Sequence, residues 1–209
     1  MKKFIQKKYE VEEPEATVRH THGSWRDRPP ADLHSINIFF IGPRGSGKTT
    51  LARAVAERLG LVCKDTDELV QEIAGSSIAL IVQDQGWEAF RELEHQVVSK
   101  ICARTGQAVA TGGGVVLKEE NRNLLRSSGQ VFYLMAPAEV LQERLADQED
   151  AAWRPSLSGL PEDQEMAQTL AQREPLYFQT LHYILPAHRS VDEIVEDVLE
   201  RLGHVQERA

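Results

Sequence analysis

The chain has 209 residues, of which 41% are hydrophobic and 27% charged, and its formal net charge is −8. This length and composition are typical of one globular domain that buries a full hydrophobic core, with room for a tail. The acidic balance argues against non-specific binding to nucleic acid or to an anionic membrane, although local arginines could still attract a small anionic substrate.

Residues 1–34 are polar, carry charges of both signs, contain three prolines and show no sustained apolar period. We interpret them as a flexible N-terminal extension of a domain that comprises residues 35–209. The extension is either an inert tail or an arm that binds a partner or another subunit. The closely spaced His20 and His22 lack the further ligands that a metal site needs.

The first half of the predicted domain alternates between short apolar runs and amphipathic stretches. The β-rich run at 36–41 predicts a buried strand, and apolar residues at helical spacing predict a helix at 48–59. A second short strand is predicted at 61–63. Long helical stretches follow at 77–104, with a break near Gly86.

The second half continues this alternation. Strands are predicted at 108–110, 131–134 and 183–185, and helices at 137–146, 163–173 and 191–202. Strands that alternate with helices predict an α/β fold, a three-layer α/β/α sandwich with a five-stranded parallel sheet. Ligands of such sheets bind beyond the carboxyl ends of the strands. Polar motifs follow three of the predicted strands at those ends, which indicates one shared site.

The first motif is the segment Gly42-Pro-Arg-Gly-Ser-Gly-Lys-Thr49, which fits the P-loop pattern G-x-x-x-x-G-K-[ST] between a strand and a helix. Its glycines allow backbone N–H groups to point at phosphate oxygens, and the helix N-terminus adds partial positive charge. Lys48 would neutralise the β- and γ-phosphates, and the Thr49 hydroxyl would bind Mg²⁺. The motif predicts a P-loop NTPase-like fold that binds nucleotide phosphates.

Two aspartates, Asp65 and Asp67, follow the second predicted strand. Asp65 would approach the metal directly or through water. Asp67 would accept a hydrogen bond from an attacking hydroxyl and serve as its base. The alternative is that Asp67 is merely the N-cap of the helix that follows.

Three arginines and a glycine run are ambiguous when each is considered alone. Arg91 lies one helical turn before Glu94, so a surface ion pair is the default expectation. Arg154 lies in a stretch of small and polar residues typical of a mobile loop, and Arg173 lies near a predicted helix end, where solvated arginine is common. The glycines at 112–114 form a tight turn or admit a ligand close to the backbone.

Together these segments resemble the shikimate kinase family over about residues 35–203. The matching pieces occur in order: GPRGSGKTT at 42–50, DTD at 65–67, GWEAFRELE at 86–94, ATGGGVVL at 110–117, APAEVLQERL at 136–145, RPSLSG at 154–159 and REPLY at 173–177. The GPRG loop, the tryptophan before Phe-Arg, and Arg-Pro followed by a small polar residue and leucine resemble the type II isoenzyme in particular.

The resemblance implies transfer of the γ-phosphate of ATP to the 3-hydroxyl of shikimate, with one Mg²⁺ ion, in aromatic amino acid biosynthesis. It implies that the ATP phosphates are bound by Gly45, Ser46, Gly47, Lys48, Thr49 and Thr50, and that the metal is held by Thr49 and Asp65. The implied shikimate ligands are Asp67, Arg91, Gly112, Gly113, Gly114 and Arg173. Arg154 would be the lid arginine that closes over ATP, which makes Lys48, Asp67 and Arg154 the catalytic set, and Arg144 at the lid hinge would be a weaker nucleotide contact.

Three stretches depart from the family pattern, and the first is the N-terminal extension, which is not part of the family core. Residues 185–189 match poorly the usual Asp-containing stretch that helps to hold adenine, and the lid between Arg144 and Arg154 is acidic. One alternative function is a related P-loop kinase such as a gluconate kinase, which needs no pair of carboxylate-binding arginines. The other is a non-catalytic nucleotide-binding module whose tail engages a partner, but the presence of Lys48 and Asp67 favours an enzyme.

Several features bear on partners and compartment. Cys63 and Cys102 are too few and too widely spaced for a disulfide framework. No apolar run approaches the roughly 18 residues that span a bilayer, and the N-terminal lysines precede no apolar stretch of a secretory signal. We therefore expect a cytoplasmic protein that binds no membrane. The resemblance implies ATP and shikimate as its partners, and we also expect a monomer that binds no nucleic acid.

Overall fold

The computed structural model describes residues 33–146 and 162–203. In chain order the elements are β1 (Asn37–Ile41), α1 (Lys48–Leu59), β2 (Val62–Asp65), α2 (Thr66–Ala74), α3 (Ile78–Cys102), β3 (Gln107–Ala110), a 3₁₀ turn (Val115–Leu117), α4 (Glu119–Ser128), β4 (Gly129–Met135), α5 (Ala138–Ala146), α6 (Glu162–Thr180), β5 (Tyr183–Pro186) and α7 (Val191–Arg201). The lid predicted around Arg154 lies outside the described residues, as does all of the predicted extension except Leu33 and His34. Within the described part, no helix is both long and apolar enough to cross a bilayer.

The strands of the described residues form one five-stranded parallel sheet in the order β2-β3-β1-β4-β5. The central strand β1 pairs with both neighbours, so that Phe39 lies opposite Val109 on one side and Val131 on the other. β1 and β3 are neighbours in the sheet. The chain connects β1 to β2 on one side of this pair and β3 to β4 on the other side, so the two connections run in opposite directions. Ligand sites in open α/β sheets lie at such switch points.

Two hydrophobic clusters cover the two faces of the sheet, and the alternation of side chains along β1 divides it between them. Ile38 and Phe40 pack with α1 and α7 on one face. Phe39 and Ile41 pack with α3, α4 and α6 on the other. All five residues of β1 are buried, as expected for a central parallel strand. The predicted three-layer α/β/α sandwich with a five-stranded parallel sheet is therefore confirmed.

The boundaries of some elements differ from the prediction. Helix α4 was not predicted, because its sequence EENRNLLRSS is mostly polar and buries only Asn121 and Leu125. Helix α6 continues past Pro175 to Thr180, although we expected it to end at residue 173. A proline removes one backbone hydrogen bond from a helix interior. The buried packing of Tyr177 beyond Pro175 accounts for the continuation. The predicted break at Gly86 is present, with φ 82° and ψ 172° inside α3.

Candidate active site

The P-loop connects β1 to α1 and is held by its own side chains. The Ser46 hydroxyl donates to the carbonyl of Pro43 at 2.8 Å, and the Lys48 ammonium donates to the same carbonyl at 2.7 Å. Gly45 and Gly47 have φ values of 79° and 91°, a region in which a side chain would be strained. The loop is therefore built from residues that allow the turn and fold the lysine back along it.

The N-terminus of α1 is left available to an anion. Its N-cap is Gly47, which makes no side-chain cap hydrogen bond, and its first turn contains no acidic residue. The backbone N–H groups and the positive end of the helix dipole then point to the loop, an arrangement that suits phosphate.

Thr49 and Asp65 meet at the end of β2. The Thr49 hydroxyl donates a 2.8 Å hydrogen bond to Oδ2 of Asp65, although sixteen positions separate them in sequence. Oδ1 of Asp65 accepts the N–H of Asp67 at 2.9 Å, so Asp65 is the N-cap of α2. These two oxygen-bearing side chains suit a hard divalent cation. Because the described residues contain no cluster of three or more His, Cys, Asp or Glu for a metal, phosphate and water would supply its other ligands.

Asp67 occupies the second position of α2 and is 8% exposed. The alternative that Asp67 caps this helix is wrong, since Asp65 does so. The carboxylate of Asp67 instead faces the turn after β3, where a β-carbon at Gly112 would lie only 2.6 Å from its Oδ1. The neighbouring Thr66 hydroxyl accepts the N–H of Gly112 at 2.8 Å, which joins the end of β2 to the glycine turn.

The expected ion pair between Arg91 and Glu94 is present, but it is not on the surface. Nη1 of Arg91 donates to Oε2 of Glu94 at 2.7 Å, and the two side chains are 20% and 1% exposed. The guanidinium carbon lies 5.5 Å from the ring centroid of Trp87 and 4.9 Å from that of Phe90. These contacts hold the guanidinium against the glycine turn, where a β-carbon at Gly114 would lie 2.2 Å from its Nη2.

Glu94 is a buried acid with a perturbed pKa. Its Oε1 has no hydrogen-bond partner among the described residues. Burial raises the pKa of Glu94 to about 7, against the opposing charge and hydrogen bond of Arg91, and the nearby Asp67 adds to the rise. We expected only an ion pair here. The sequence spacing predicted the partner of Glu94 but not its burial, because that depends on how α3 packs against the turn after β3.

Arg173 reaches the same turn from α6. Its Nη1 lies 3.7 Å from where a β-carbon of Gly113 would be. Burial lowers the pKa of Arg173, and the like charge of Arg91 contributes to the lowering. Tyr177, one helical turn later, donates to the carbonyl of Gly113 at 2.6 Å. Two neighbouring arginines therefore converge on one glycine turn.

The glycine turn also adjoins the P-loop. A β-carbon at Gly113 would lie 3.4 Å from the carbonyl oxygen of Gly42 and 3.5 Å from the backbone nitrogen of Arg44. The phosphate-binding loop and the arginine pair are therefore parts of one site at the carboxyl edge of the sheet. Of the predicted site residues, the structure brings together the P-loop, Asp65, Asp67, Arg91, the three glycines and Arg173.

Two predicted nucleotide contacts, Arg144 and Arg154, are not among these residues. Arg144 on α5 donates to the carbonyl of Ala187 at 2.7 Å and to that of Gly45 at 3.5 Å, and so links the P-loop to the loop after β5. Its role toward the nucleotide stays a prediction. Arg154 lies outside the described residues. Sequence reasoning missed the contacts of Thr66 and Tyr177 with the glycine turn, although both residues lie inside the DTD and REPLY segments.

A P-loop, an oxygen pair suited to a metal and an acidic side chain beside two arginines define a P-loop kinase that acts on a small molecule. The family model described as shikimate kinase matches residues 44–203. "Shikimate kinase 2" of Yersinia enterocolitica is 46% identical over 166 residues, which are 79% of this chain and 95% of that protein. "Shikimate kinase" of Oleidesulfovibrio alaskensis is 47% identical over 166 residues, which are 79% and 96% of the two chains.

The structural comparison agrees with the sequence comparison. The shikimate kinase of Acinetobacter baumannii, solved in complex with shikimate, superposes with a TM-score of 0.75 at 31% identity, over 80% of this chain and 93% of that one. The chain belongs to the shikimate kinase family, as its sequence motifs predicted, and is an ATP-dependent kinase. Kinases of this kind act with a divalent metal.

Proposed function

We propose that the protein transfers the γ-phosphoryl group of ATP to the 3-hydroxyl of shikimate, giving shikimate 3-phosphate and ADP. The observation that carries the proposal is the convergence of Arg91 and Arg173 on the Gly112–Gly114 turn, beside Asp67 and against the P-loop. Arg91 is already paired with Glu94, and the positive charge of Arg91 also acts on Arg173, so the two guanidinium groups together favour a further anion. Shikimate supplies a carboxylate for the arginines and hydroxyls for the aspartate.

The substrate carboxylate is bound by the arginine pair. Planar guanidinium groups bind carboxylates through paired, charge-assisted hydrogen bonds. Glu94 and the rings of Trp87 and Phe90 orient Arg91. Its guanidinium group is therefore largely ordered before the substrate binds. The absence of side chains at Gly112, Gly113 and Gly114 lets the ring of the acid approach the backbone closely. A β-carbon at Gly112 would collide with Asp67 and one at Gly114 with Arg91, whereas one at Gly113 would make ordinary contacts.

Asp67 orients the hydroxyl that attacks and accepts its proton, which is the role of a general base. Its position at the start of α2 and beside Gly112 supports this role. Lys48 and the backbone of Gly45, Ser46, Gly47, Thr49 and Thr50 bind the phosphates. Charge neutralisation and in-line placement of the two reactants supply most of the rate enhancement in phosphoryl transfer.

We assign the metal as one Mg²⁺ ion held by Thr49 and Asp65, which would neutralise phosphate charge when bound with ATP. The 2.8 Å contact between the hydroxyl and the carboxylate supports the fit, because both are oxygen ligands. We further propose that Arg154 closes over ATP, that Arg144 contacts the nucleotide near the P-loop, and that the enzyme acts as a cytoplasmic monomer. The extension would comprise the residues before Leu33, since Leu33 itself packs in the core.

The decisive experiment is an assay with ATP, Mg²⁺ and shikimate, with gluconate and nucleoside monophosphates as competing acceptors. The product should be a phosphoester on the 3-hydroxyl of shikimate, identified by ³¹P NMR and mass spectrometry. Phosphorylation of gluconate instead would favour the related kinase. Nucleotide binding without any phosphoester product would favour the non-catalytic module.

A further inference from the structure

Tyr177 joins two groups of the proposed substrate site although it belongs to neither the P-loop nor the set of predicted ligands. It is fully buried on α6, one helical turn after Arg173. Its hydroxyl donates a 2.6 Å hydrogen bond to the carbonyl of Gly113. The Arg173 guanidinium neighbours the same phenol group and can donate a hydrogen bond to its oxygen. One oxygen atom therefore connects helix α6 to the glycine turn.

The phenol has one orientation and one protonation state. Its ring stacks on Tyr133 with centroids 4.9 Å apart and an angle of 22° between the planes. Burial raises the pKa of Tyr177 to about 12, so the hydroxyl keeps its proton at neutral pH. Since that proton goes to Gly113, the oxygen has only lone pairs left to offer, and these match the N–H groups of Arg173.

The bond to Gly113 also sets the direction of the next N–H group. The carbonyl of Gly113 and the N–H of Gly114 belong to one planar peptide and point in opposite directions. A bond from Tyr177 to the carbonyl therefore directs the N–H of Gly114 away from α6. At the other end of the turn, Thr66 fixes the N–H of Gly112.

We propose that Tyr177 is a positioning residue for the organic acid substrate. It keeps Arg173 and the Gly113–Gly114 peptide at a fixed distance from each other, so that the acid can bind to both at once. This inference rests on the proposed function, because it takes Arg173 and the glycine turn as ligands of the acid. Since Tyr177 bonds to protein groups and to no reacting atom, it acts on acid binding and not on the transfer step.

The test is Tyr177→Phe, which keeps the stacked ring and removes the hydroxyl. The Gly113 carbonyl and Arg173 each lose a partner, so the KM and the calorimetric Kd for shikimate should rise roughly five- to thirtyfold. The kcat and the KM for ATP should stay close to those of the wild type. Arg173→Ala serves as the reference for a lost substrate ligand.

The matched control is Thr180→Val on the same helix. Thr180 is also fully buried, and its hydroxyl donates to the carbonyl of Leu176 at 2.6 Å. Its loss should lower stability and leave the KM for shikimate unchanged. An equal rise of the shikimate KM in this control, or a parallel rise of the ATP KM in Tyr177→Phe, would mean general loosening of α6 and would overturn the inference.

The outcomes also separate this inference from the proposed function. A wild-type enzyme that does not phosphorylate shikimate would refute the function. An active wild type, with a raised KM in Arg173→Ala and a normal one in Tyr177→Phe, would overturn the inference alone. If Tyr177→Phe does not fold, wild-type protein labelled with ¹³C at tyrosine Cζ provides the measurement. The hydroxyl proton of Tyr177 should then exchange slowly with solvent, and rapid exchange would overturn the inference.

Discussion

Asp67 and Glu94 bring two carboxyl groups to the α-carbon of Gly112 from different helices. A β-carbon there would lie 2.6 Å from Oδ1 of Asp67 and 2.8 Å from Oε1 of Glu94. Both acids are buried, but their surroundings differ: Glu94 lies inside α3 and is paired with Arg91, whereas Asp67 lies at the start of α2 beside the glycine turn. Neighbouring acids in different environments can take different roles in one site.

Asp67→Asn should lower kcat by about a hundredfold or more, since general-base catalysis contributes at least that much. The circular dichroism spectrum and melting temperature should change little, because the N-cap of α2 is Asp65 and not Asp67. The control is Asp84→Asn, an exposed aspartate on α3. Turnover like that of the wild type in Asp67→Asn would remove this residue from the mechanism.

Glu94→Gln tests the raised pKa through stability. The pKa of Glu94 rises from 4.5 to about 7 on folding, so the native state keeps a proton that the unfolded chain releases. The contribution of Glu94 is therefore fully present below pH 4.5 and is lost as the pH rises through 7. The free energy of unfolding of the wild type, minus that of Glu94→Gln, should fall by up to about 3 kcal/mol over this range.

The measurement is denaturant unfolding of both proteins at several values between pH 4.5 and 8. Glu92→Gln is the control on the same helix, since a hydrogen bond from Lys118 lowers the pKa of Glu92, and the difference from wild type should not fall with rising pH. A difference between wild type and Glu94→Gln that is independent of pH would show that Glu94 is already ionised in the folded protein.

Asp65→Asn should raise the Mg²⁺ concentration needed for half-maximal activity by about tenfold or more, because it removes the negative charge of a proposed ligand, and changes even in the residues around metal ligands cost tenfold or more in affinity. Asparagine is as good an N-cap as aspartate, so α2 should survive the change. Glu68→Gln, whose carboxylate is exposed and paired with Arg53, is the control. An unaltered metal requirement in Asp65→Asn would place the ion elsewhere.

The sequence could predict this fold because its patterns are local and agree with one another. Buried strands such as Asn37–Ile41 are short apolar runs, and the P-loop falls between such a run and a helix. Helix α4 escaped prediction because only two of its residues are buried. The true end of α6 escaped because a proline normally stops a helix, whereas here a buried tyrosine two positions later extends it.

The sequence predicted the candidate ligand residues of the site but not the contacts that hold them in place. All four predicted ligands lie in recognisable segments: Asp65 and Asp67 at the end of β2 and the start of α2, and Arg91 and Arg173 inside α3 and α6. The burial of Glu94 and the hydrogen bonds of Thr66 and Tyr177 to the glycine turn depend on packing between distant elements. Sequence spacing carries no information on such contacts.

Deletion of residues 1–32 should leave the shikimate kinase activity and the melting temperature close to those of the full chain. Leu33 is 8% exposed and packs in the cluster of α1 and α7, so the deletion should stop before it. Removal of Leu33 as well should lower the melting temperature, since burial of a leucine contributes roughly 1.5–3 kcal/mol. A well-folded but inactive protein lacking 1–32 would assign the segment a role in catalysis.

The central claim is that a pair of arginines binds the carboxylate of the acceptor beside the P-loop. It is tested most directly by the ratio of kcat/KM for shikimate to that for its methyl ester, in wild type and in Arg173→Ala. The wild type should prefer the acid by about tenfold or more, because each charge-assisted hydrogen bond contributes about 1.5–3 kcal/mol. Arg173→Ala should lose most of this preference, whereas Arg201→Ala at the exposed end of α7 should keep it. A preference that survives intact in Arg173→Ala, or a wild type that uses acid and ester equally, would contradict the claim.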